Sequence, residues 1–204
     1  MNWSLKKKLF ANFRAIIAIN ICRTLIHRTL PRYSKEQIKK ASLIKAIFFD
    51  VDGVLTDGRI IYDDAGREIK SFSVKDGLII SHLKKAGIIT GAISGRDSPA
   101  VTRRCAELKI DFCHQGIVDK AGTFEKLVKH YKLKYKEVAF IGDDINDLPV
   151  MRLTGFSICP SDTYDYIKEQ VDLVTYSKGG CGVLREVADF VLASKGLFDK
   201  IIKE

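Results

Sequence analysis

The 204-residue chain is poor in the features that stabilise small secreted proteins or hold structural zinc. It has five cysteines, an odd number, and no two of them form a CxxC pair. Because a chain of this length can bury one sizeable hydrophobic core without disulfides, we expect one domain with buried, reduced thiols in a cytosolic protein. The sequence also shows no internal repeat and no low-complexity tract.

Acidic residues are absent from the first 33 positions, which contain seven lysines and arginines. The formal net charge is +9, so this stretch holds +7 and leaves +2 for the remainder. A broad nucleic-acid-binding surface is therefore not expected. The stretch also lacks the roughly 20 predominantly apolar residues of a spanning helix.

Apolar residues in this basic stretch recur near one helical face, a pattern that permits an amphipathic helix. Three interpretations stay open. The stretch is a helix packed on the domain or on a partner subunit, a membrane-surface anchor through residues 1–33, or a disordered or non-native extension. We divide the chain into a basic extension at 1–40 and a domain at 41–204.

From about Lys45 onward, short apolar runs alternate with helical patterns. This alternation predicts an α/β fold with a mostly parallel sheet covered on both faces. Two segments, 59–62 and 68–72, break the alternation and predict a β-hairpin with a turn-forming tip. The predicted strands are 45–49, 88–93, 111–114, 137–141, 156–158 and 173–175, and the predicted helices are 77–85, 99–108, 120–130, 147–153 and 183–193.

Ligand sites in such sheets lie at the carboxyl ends of the strands, and the first strand ends in a pair of aspartates. Asp50 and Asp52 flank a single residue. Two carboxylates so close repel each other unless a cation or a proton lies between them. A DxD pair alone is common in turns, so it predicts chemistry only in combination with other strand ends.

Three further strand ends supply that combination. Ser94, Gly95 and Arg96 offer a hydroxyl, a backbone amide and a guanidinium that can hold phosphate oxygens; alternatively, Ser94 caps the following helix. Lys120 begins a predicted helix and is singled out by its position alone. The third end carries three clustered carboxylates, which indicate a hard cation: Asp143, Asp144 and Asp147.

The order DxD, Ser, Lys and GDDxxD resembles the haloacid dehalogenase superfamily, over the chain from Leu43 to the last helix. The resemblance implies a Rossmann-like core and a Mg²⁺-dependent phosphatase with an aspartyl-phosphate intermediate. Asp50 would be the nucleophile, Asp52 the general acid and base, and Ser94 and Lys120 would hold phosphoryl oxygens. Mg²⁺ would bind Asp143, the Asp50 carboxylate and the Asp52 main-chain carbonyl, with Asp144 and Asp147 behind them to orient ligands and the lysine.

The chain has little room for a cap domain between Asp52 and Lys120. It thus resembles the capless branch of the superfamily, whose members are tetramers. In that branch, hairpins and C-terminal tails of neighbouring subunits help to close each site. The resemblance implies a β-hairpin flap, no cap domain, and a cytoplasmic homotetramer.

Longer motifs narrow the resemblance to the family of 3-deoxy-D-manno-octulosonate 8-phosphate phosphatases, which act in lipopolysaccharide biosynthesis. They include DVDGVLTDG, EIKSFSVKDG, HQGIVDK and GGCGVLRE. The resemblance implies that Arg96 and Arg104 bind the phosphate or carboxylate of a phosphorylated sugar acid, with Arg185 as a further contact. Cys181 stands where arginine is common, which would remove one contact of the tail.

Two alternatives compete with this interpretation. A nonulosonate 9-phosphate phosphatase shares most of these motifs, and Arg96 favours the octulosonate enzyme over it. A phosphoacceptor receiver domain also uses clustered aspartates, a hydroxyl residue and a lysine around Mg²⁺. Its acidic pair and its phosphorylated aspartate lie on different strands, so the motif order in this chain argues against a receiver.

Overall fold

The structure, a computed structural model, describes residues 32–198 and 201 of the chain. Within this range, six strands form one sheet and two more form a hairpin. The sheet strands are β1 (Ala46–Phe49), β4 (Ile89–Ile93), β5 (Phe112–His114), β6 (Val138–Ile141), β7 (Phe156–Cys159) and β8 (Leu173–Val174); the hairpin strands are β2 (Ile61–Tyr62) and β3 (Glu68–Ile69). The α-helices are α1 (Lys35–Leu43), α2 (Val74–Lys85), α3 (Pro99–Leu108), α4 (Lys120–His130), α5 (Leu148–Leu153), α6 (Asp165–Lys168) and α7 (Val183–Ser194).

The sheet has the strand order β5-β4-β1-β6-β7-β8, and every neighbouring pair is parallel. After β1 the chain builds one half of the sheet through β4 and β5, and it then crosses to β6 on the other side. The strand order therefore reverses at β1, and ligands of open α/β sheets bind at such a switch point. The prediction of an α/β fold with a mostly parallel sheet is confirmed.

Alternating side chains of β1 serve two separate cores. Ile47 and Phe49 point to one face, where α1, α2, α3 and α7 cover the sheet. Ala46 and Phe48 point to the other face, against α4, α5 and α6. All four residues are fully buried. Both faces of the strand therefore require apolar side chains, as expected for a parallel sheet covered on both sides, and the sequence of β1 is a continuous apolar run.

Regular structure begins earlier than the predicted domain start at residue 41. Ser34 and Gln37 form a reciprocal capping box that starts α1, and α1 packs on the same core as α7.

Helix α2 also begins earlier than predicted, at Val74 instead of residue 77, because the Ser73 hydroxyl accepts a hydrogen bond from the Lys75 amide. The interpretations of residues 1–31 concern a segment outside the described residues, and the domain division stays a prediction.

Four of the five cysteines lie in the described part of the chain, and all four are free. Cys105 and Cys159 are buried as predicted, and Cys113 is partly buried. Cys181 is exposed, so the prediction of a buried thiol is wrong there. No helix among the described residues is long and apolar enough to span a membrane.

Candidate active site

The carboxyl ends of three adjacent strands form one cavity. Asp50 follows β1, Ser94 follows β4, and Gly142 and Asp143 follow β6. The cavity has a volume of about 200 Å³. Most of the predicted site residues therefore meet in one place, as expected from the register of parallel strands. Its lining consists of Asp50, Asp52, Gly58, Ser94, Gly95, Arg96, Asp143, Asp144 and Asn146.

A buried lysine lies between two buried aspartates, one of which, Asp50, lines the cavity. Lys120 is the first residue of α4, and its Nζ lies 3.1 Å from Asp50 Oδ1 and 2.7 Å from Asp147 Oδ1. Burial and the charge of Asp147 raise the pKa of Asp50 to about 7, against the opposing effect of Lys120. Burial lowers the pKa of Lys120, but the charges of Asp50 and Asp147 outweigh it and the net shift is upward.

Asp143 carries a carboxylate that the described protein atoms leave partly unpaired. Its Oδ1 is buried and has no hydrogen-bond partner. Burial, followed by the charges of Asp50, Asp147 and Asp144, raises its pKa to about 8. The backbone of Gly53 adopts a positive φ of 84°, and a Cβ there would lie 1.9 Å from Asp143 Oδ2. Only glycine therefore fits beside this carboxylate.

These residues suit a divalent cation. Ligand atoms of Asp50, Asp143 and Asp147 lie within 4.8 Å of one another, and hard cations prefer such carboxylate oxygens. Asp147 is already engaged, because Oδ1 accepts from Lys120 and Oδ2 accepts from the Asp143 amide at 3.1 Å. Asp50 and Asp143 are therefore the better ligands, and Asp147 orients the lysine and the loop. Asp144 lies at the cavity wall and accepts from the Ile145 amide at 2.7 Å.

The segment after β4 presents polar groups to the same cavity. Ser94 is buried, and its Oγ accepts a hydrogen bond from the Arg96 amide at 3.3 Å. Helix α3 is preceded by Ser98 as its N-cap residue, so the alternative that Ser94 caps this helix is wrong. Ser94, Gly95 and Arg96 all line the cavity, where they can meet an anionic ligand.

Two residues that the sequence analysis did not single out also reach the site. Lys70 forms an ion pair with Asp52, and Glu68 Oε1 accepts from Arg96 Nη2 at 2.8 Å. Glu68 and Lys70 are two positions apart in the predicted hairpin, so they share one face of that segment. The motif EIK contains this signal, but the sequence does not show which surface the hairpin meets.

Arg104 and Arg185 do not line the cavity as the structure describes it. The Arg104 guanidinium lies 5.9 Å from the centre of the Phe72 ring. Arg185 Nε donates to both carboxylate oxygens of Asp189, at 2.9 and 2.8 Å, and its backbone amide donates to Asp76 Oδ1 at 2.8 Å. The predicted roles of Arg104 and Arg185 in substrate binding therefore gain no support within one subunit.

Comparisons with known proteins agree with this architecture. Residues 110–187 match the family model described as haloacid dehalogenase-like hydrolase. The chain is 42% identical over 158 residues to the 3-deoxy-D-manno-octulosonate 8-phosphate phosphatase KdsC of Haemophilus influenzae, covering 78% of this chain and 88% of the relative. It is 37% identical to KdsC of Escherichia coli K12 over 167 residues, covering 82% and 89% of the two chains.

Solved structures show the same relationship. A 3-deoxy-D-manno-octulosonate 8-phosphate phosphatase from Moraxella catarrhalis, crystallised with a magnesium ion, a phosphate ion and KDO, superposes with a TM-score of 0.81 at 39% identity. The alignment covers 84% of this chain and 98% of that structure. The chain therefore belongs to the haloacid dehalogenase-like hydrolases and, within them, to the family of 3-deoxy-D-manno-octulosonate 8-phosphate phosphatases, as its motifs predicted.

Proposed function

We propose that this protein hydrolyses 3-deoxy-D-manno-octulosonate 8-phosphate to the free sugar acid and inorganic phosphate, with Mg²⁺ as its cation, in lipopolysaccharide biosynthesis. The observation that carries the proposal is the buried Asp50–Lys120 ion pair beside Asp143, with both aspartates lining a cavity of about 200 Å³. A carboxylate, a lysine and an acidic cation site are the groups that phosphoryl transfer requires. The identity to relatives with this named activity supports the choice of substrate.

In the first half-reaction, a carboxylate oxygen of Asp50 forms a bond to phosphorus while the bond from phosphorus to the ester oxygen breaks. Asp52 gives a proton to the departing alkoxide. Lys120, the Ser94 hydroxyl and the Gly95 amide hold the phosphoryl oxygens. A bound divalent cation supplies positive charge that offsets the repulsion between the Asp50 carboxylate and an anionic substrate.

In the second half-reaction, Asp52 takes a proton from water, and the water oxygen attacks phosphorus. The bond between phosphorus and Asp50 then breaks, which releases phosphate and restores both carboxyl groups to their starting state. Asp147 keeps Lys120 in place through its 2.7 Å hydrogen bond. Arg96, at the cavity wall, offers a guanidinium to the carboxylate of the sugar acid.

The test is phosphate release from three esters with Mg²⁺ and with EDTA. The esters are 3-deoxy-D-manno-octulosonate 8-phosphate, a nonulosonate 9-phosphate and a simple hexose phosphate. We expect kcat/KM for the octulosonate ester to exceed the others by at least about tenfold, which corresponds to about 1.4 kcal/mol of transition-state binding, and EDTA to stop turnover. Preference for the nine-carbon ester would change the assigned substrate to a nonulosonate 9-phosphate. Absence of turnover on all three esters would overturn the phosphatase proposal.

We further propose a cytoplasmic homotetramer. Between β1 and β4 the described chain contains only the hairpin and α2, so one subunit supplies no cap. The hairpin exposes apolar side chains, including Ile61, Tyr62 and Ile69, and burying them against other subunits would stabilise an assembly. Sedimentation equilibrium should give four times the 22.9 kDa chain mass; a fully active monomer would refute the assembly.

A further inference from the structure

The hairpin places one buried cation against the proposed acid and base. The Lys70 side chain is 1% exposed, and its Nζ forms an ion pair with Asp52 Oδ1 and lies 3.5 Å from Glu68 Oε1. Arg96 closes the group from the other side, with Nη2 2.8 Å from Glu68 Oε1 and Nε 3.9 Å from Asp52 Oδ2. Two cations and two carboxylates thus alternate in this group.

The two carboxylate oxygens of Asp52 have different surroundings. Oδ1 faces Lys70 and also lies 3.4 Å from the Thr56 hydroxyl, which donates to it. Oδ2 lies 3.9 Å from Arg96 Nε, a distance too long for a hydrogen bond. Oδ1 of Asp52 is therefore held by the protein. Because Asp52 lines the cavity beside Arg96, Oδ2 is left to exchange a proton with a ligand.

We propose that Lys70 is a positioning residue: it holds Asp52 Oδ1 so that Oδ2 faces the oxygen of the leaving group. This inference rests on the proposed phosphatase mechanism. Solvent screens a buried pair little, so the ammonium group of Lys70 restrains the Asp52 carboxylate firmly. A displacement of about 1 Å in a reacting group can cost about 100-fold in rate, which sets the scale of the expected effect.

Another ion pair in the hairpin offers a matched control. Arg67 Nε lies 2.7 Å from Asp63 Oδ2, and the Arg67 side chain is 80% exposed. The Asp63 carboxylate also accepts hydrogen bonds from the Ala65 and Arg67 amides, so this ion pair stabilises the turn between the two hairpin strands. Arg67→Met removes a cation from the hairpin without touching Asp52, and it should leave all rates within about twofold, as expected for an exposed pair.

The experiment compares phenyl phosphate with p-nitrophenyl phosphate as substrates of the wild type and Lys70→Met. The two esters have nearly the same shape and no carboxylate, but phenolate needs a proton to depart far more than p-nitrophenolate does. The parameter is kcat/KM, which reports the first half-reaction only. We expect Lys70→Met to lose roughly 10- to 100-fold on phenyl phosphate and less than about threefold on p-nitrophenyl phosphate, and Lys70→Arg to restore part of the difference.

Each other outcome has a definite meaning. Equal losses on both esters, or no loss on either, would overturn the positioning role. If Lys70→Met loses activity on 3-deoxy-D-manno-octulosonate 8-phosphate but on neither aryl ester, Lys70 is a substrate-binding residue and the positioning role is overturned. Wild-type protein that releases no phosphate from these two esters or from 3-deoxy-D-manno-octulosonate 8-phosphate would refute the proposed function, and this inference with it. If a thermal melt shows that Lys70→Met does not fold, Lys70→Gln, which keeps a neutral hydrogen-bond donor, replaces it in the same comparison.

Discussion

Asp50→Asn is expected to abolish phosphate release while leaving the fold intact. Asparagine keeps the shape of the side chain but offers a poor nucleophile, so turnover should fall by roughly 10⁴- to 10⁶-fold. The folded state should not suffer, since the substitution removes a buried carboxylate that lies beside Asp147 and has a raised pKa. Steady-state phosphate release, with a thermal melt on the same sample, checks both statements.

An exposed aspartate provides the control for this substitution. Within the described part of the chain, the side chain of Asp165 is 92% exposed and forms an ion pair only with Lys168, so Asp165→Asn should keep activity within about twofold. Phosphoprotein trapped in the wild type with a short quench, and absent from Asp50→Asn, would support the covalent intermediate. Near-wild-type activity of Asp50→Asn would contradict the mechanism.

Asp143→Asn is expected to have opposite effects on activity and on metal-free stability. Activity should fall by roughly 10²- to 10⁴-fold, because a buried neutral amide is a weaker cation ligand than a carboxylate. Raising the Mg²⁺ concentration should recover part of that loss if the substitution weakens binding of the cation. Titration of activity with Mg²⁺ measures this shift directly.

The stability effect follows from the raised pKa of Asp143. Burial and then the neighbouring carboxylates raise the pKa of Asp143 from 3.8 to about 8 in the folded state. The folded state therefore binds the proton more tightly, and the metal-free wild type loses stability as the pH rises from about 4 to 8. Asp143→Asn lacks that loss, so it should melt higher than the wild type in EDTA at pH 8.5, by an amount that shrinks toward pH 5. A lower melting temperature in EDTA would contradict the unpaired, buried carboxylate.

Much of the site followed from the sequence because its residues come directly after apolar runs. Asp50, Ser94 and Asp143 each follow a strand that is buried on both faces, and such strands are recognisable from composition. Parallel strands put their carboxyl ends at one edge, so the order of motifs predicted the meeting of these residues. Helix starts were less predictable, as α2 shows, because a serine cap four positions before the predicted start outweighed the apolar pattern.

The sequence by itself thus determined the parallel α/β class, the family, and the chemical types at the strand ends, since strand periodicity and short motifs are local properties of a chain. Only the tertiary structure decided that Lys70 meets Asp52 and that Asp76 caps α7 through the Arg185 amide, 109 positions away. It likewise decided that Arg104 and Arg185 do not line the cavity. These contacts depend on which surface a hairpin or helix meets after packing, and that choice minimises the free energy of the whole core instead of following any local pattern.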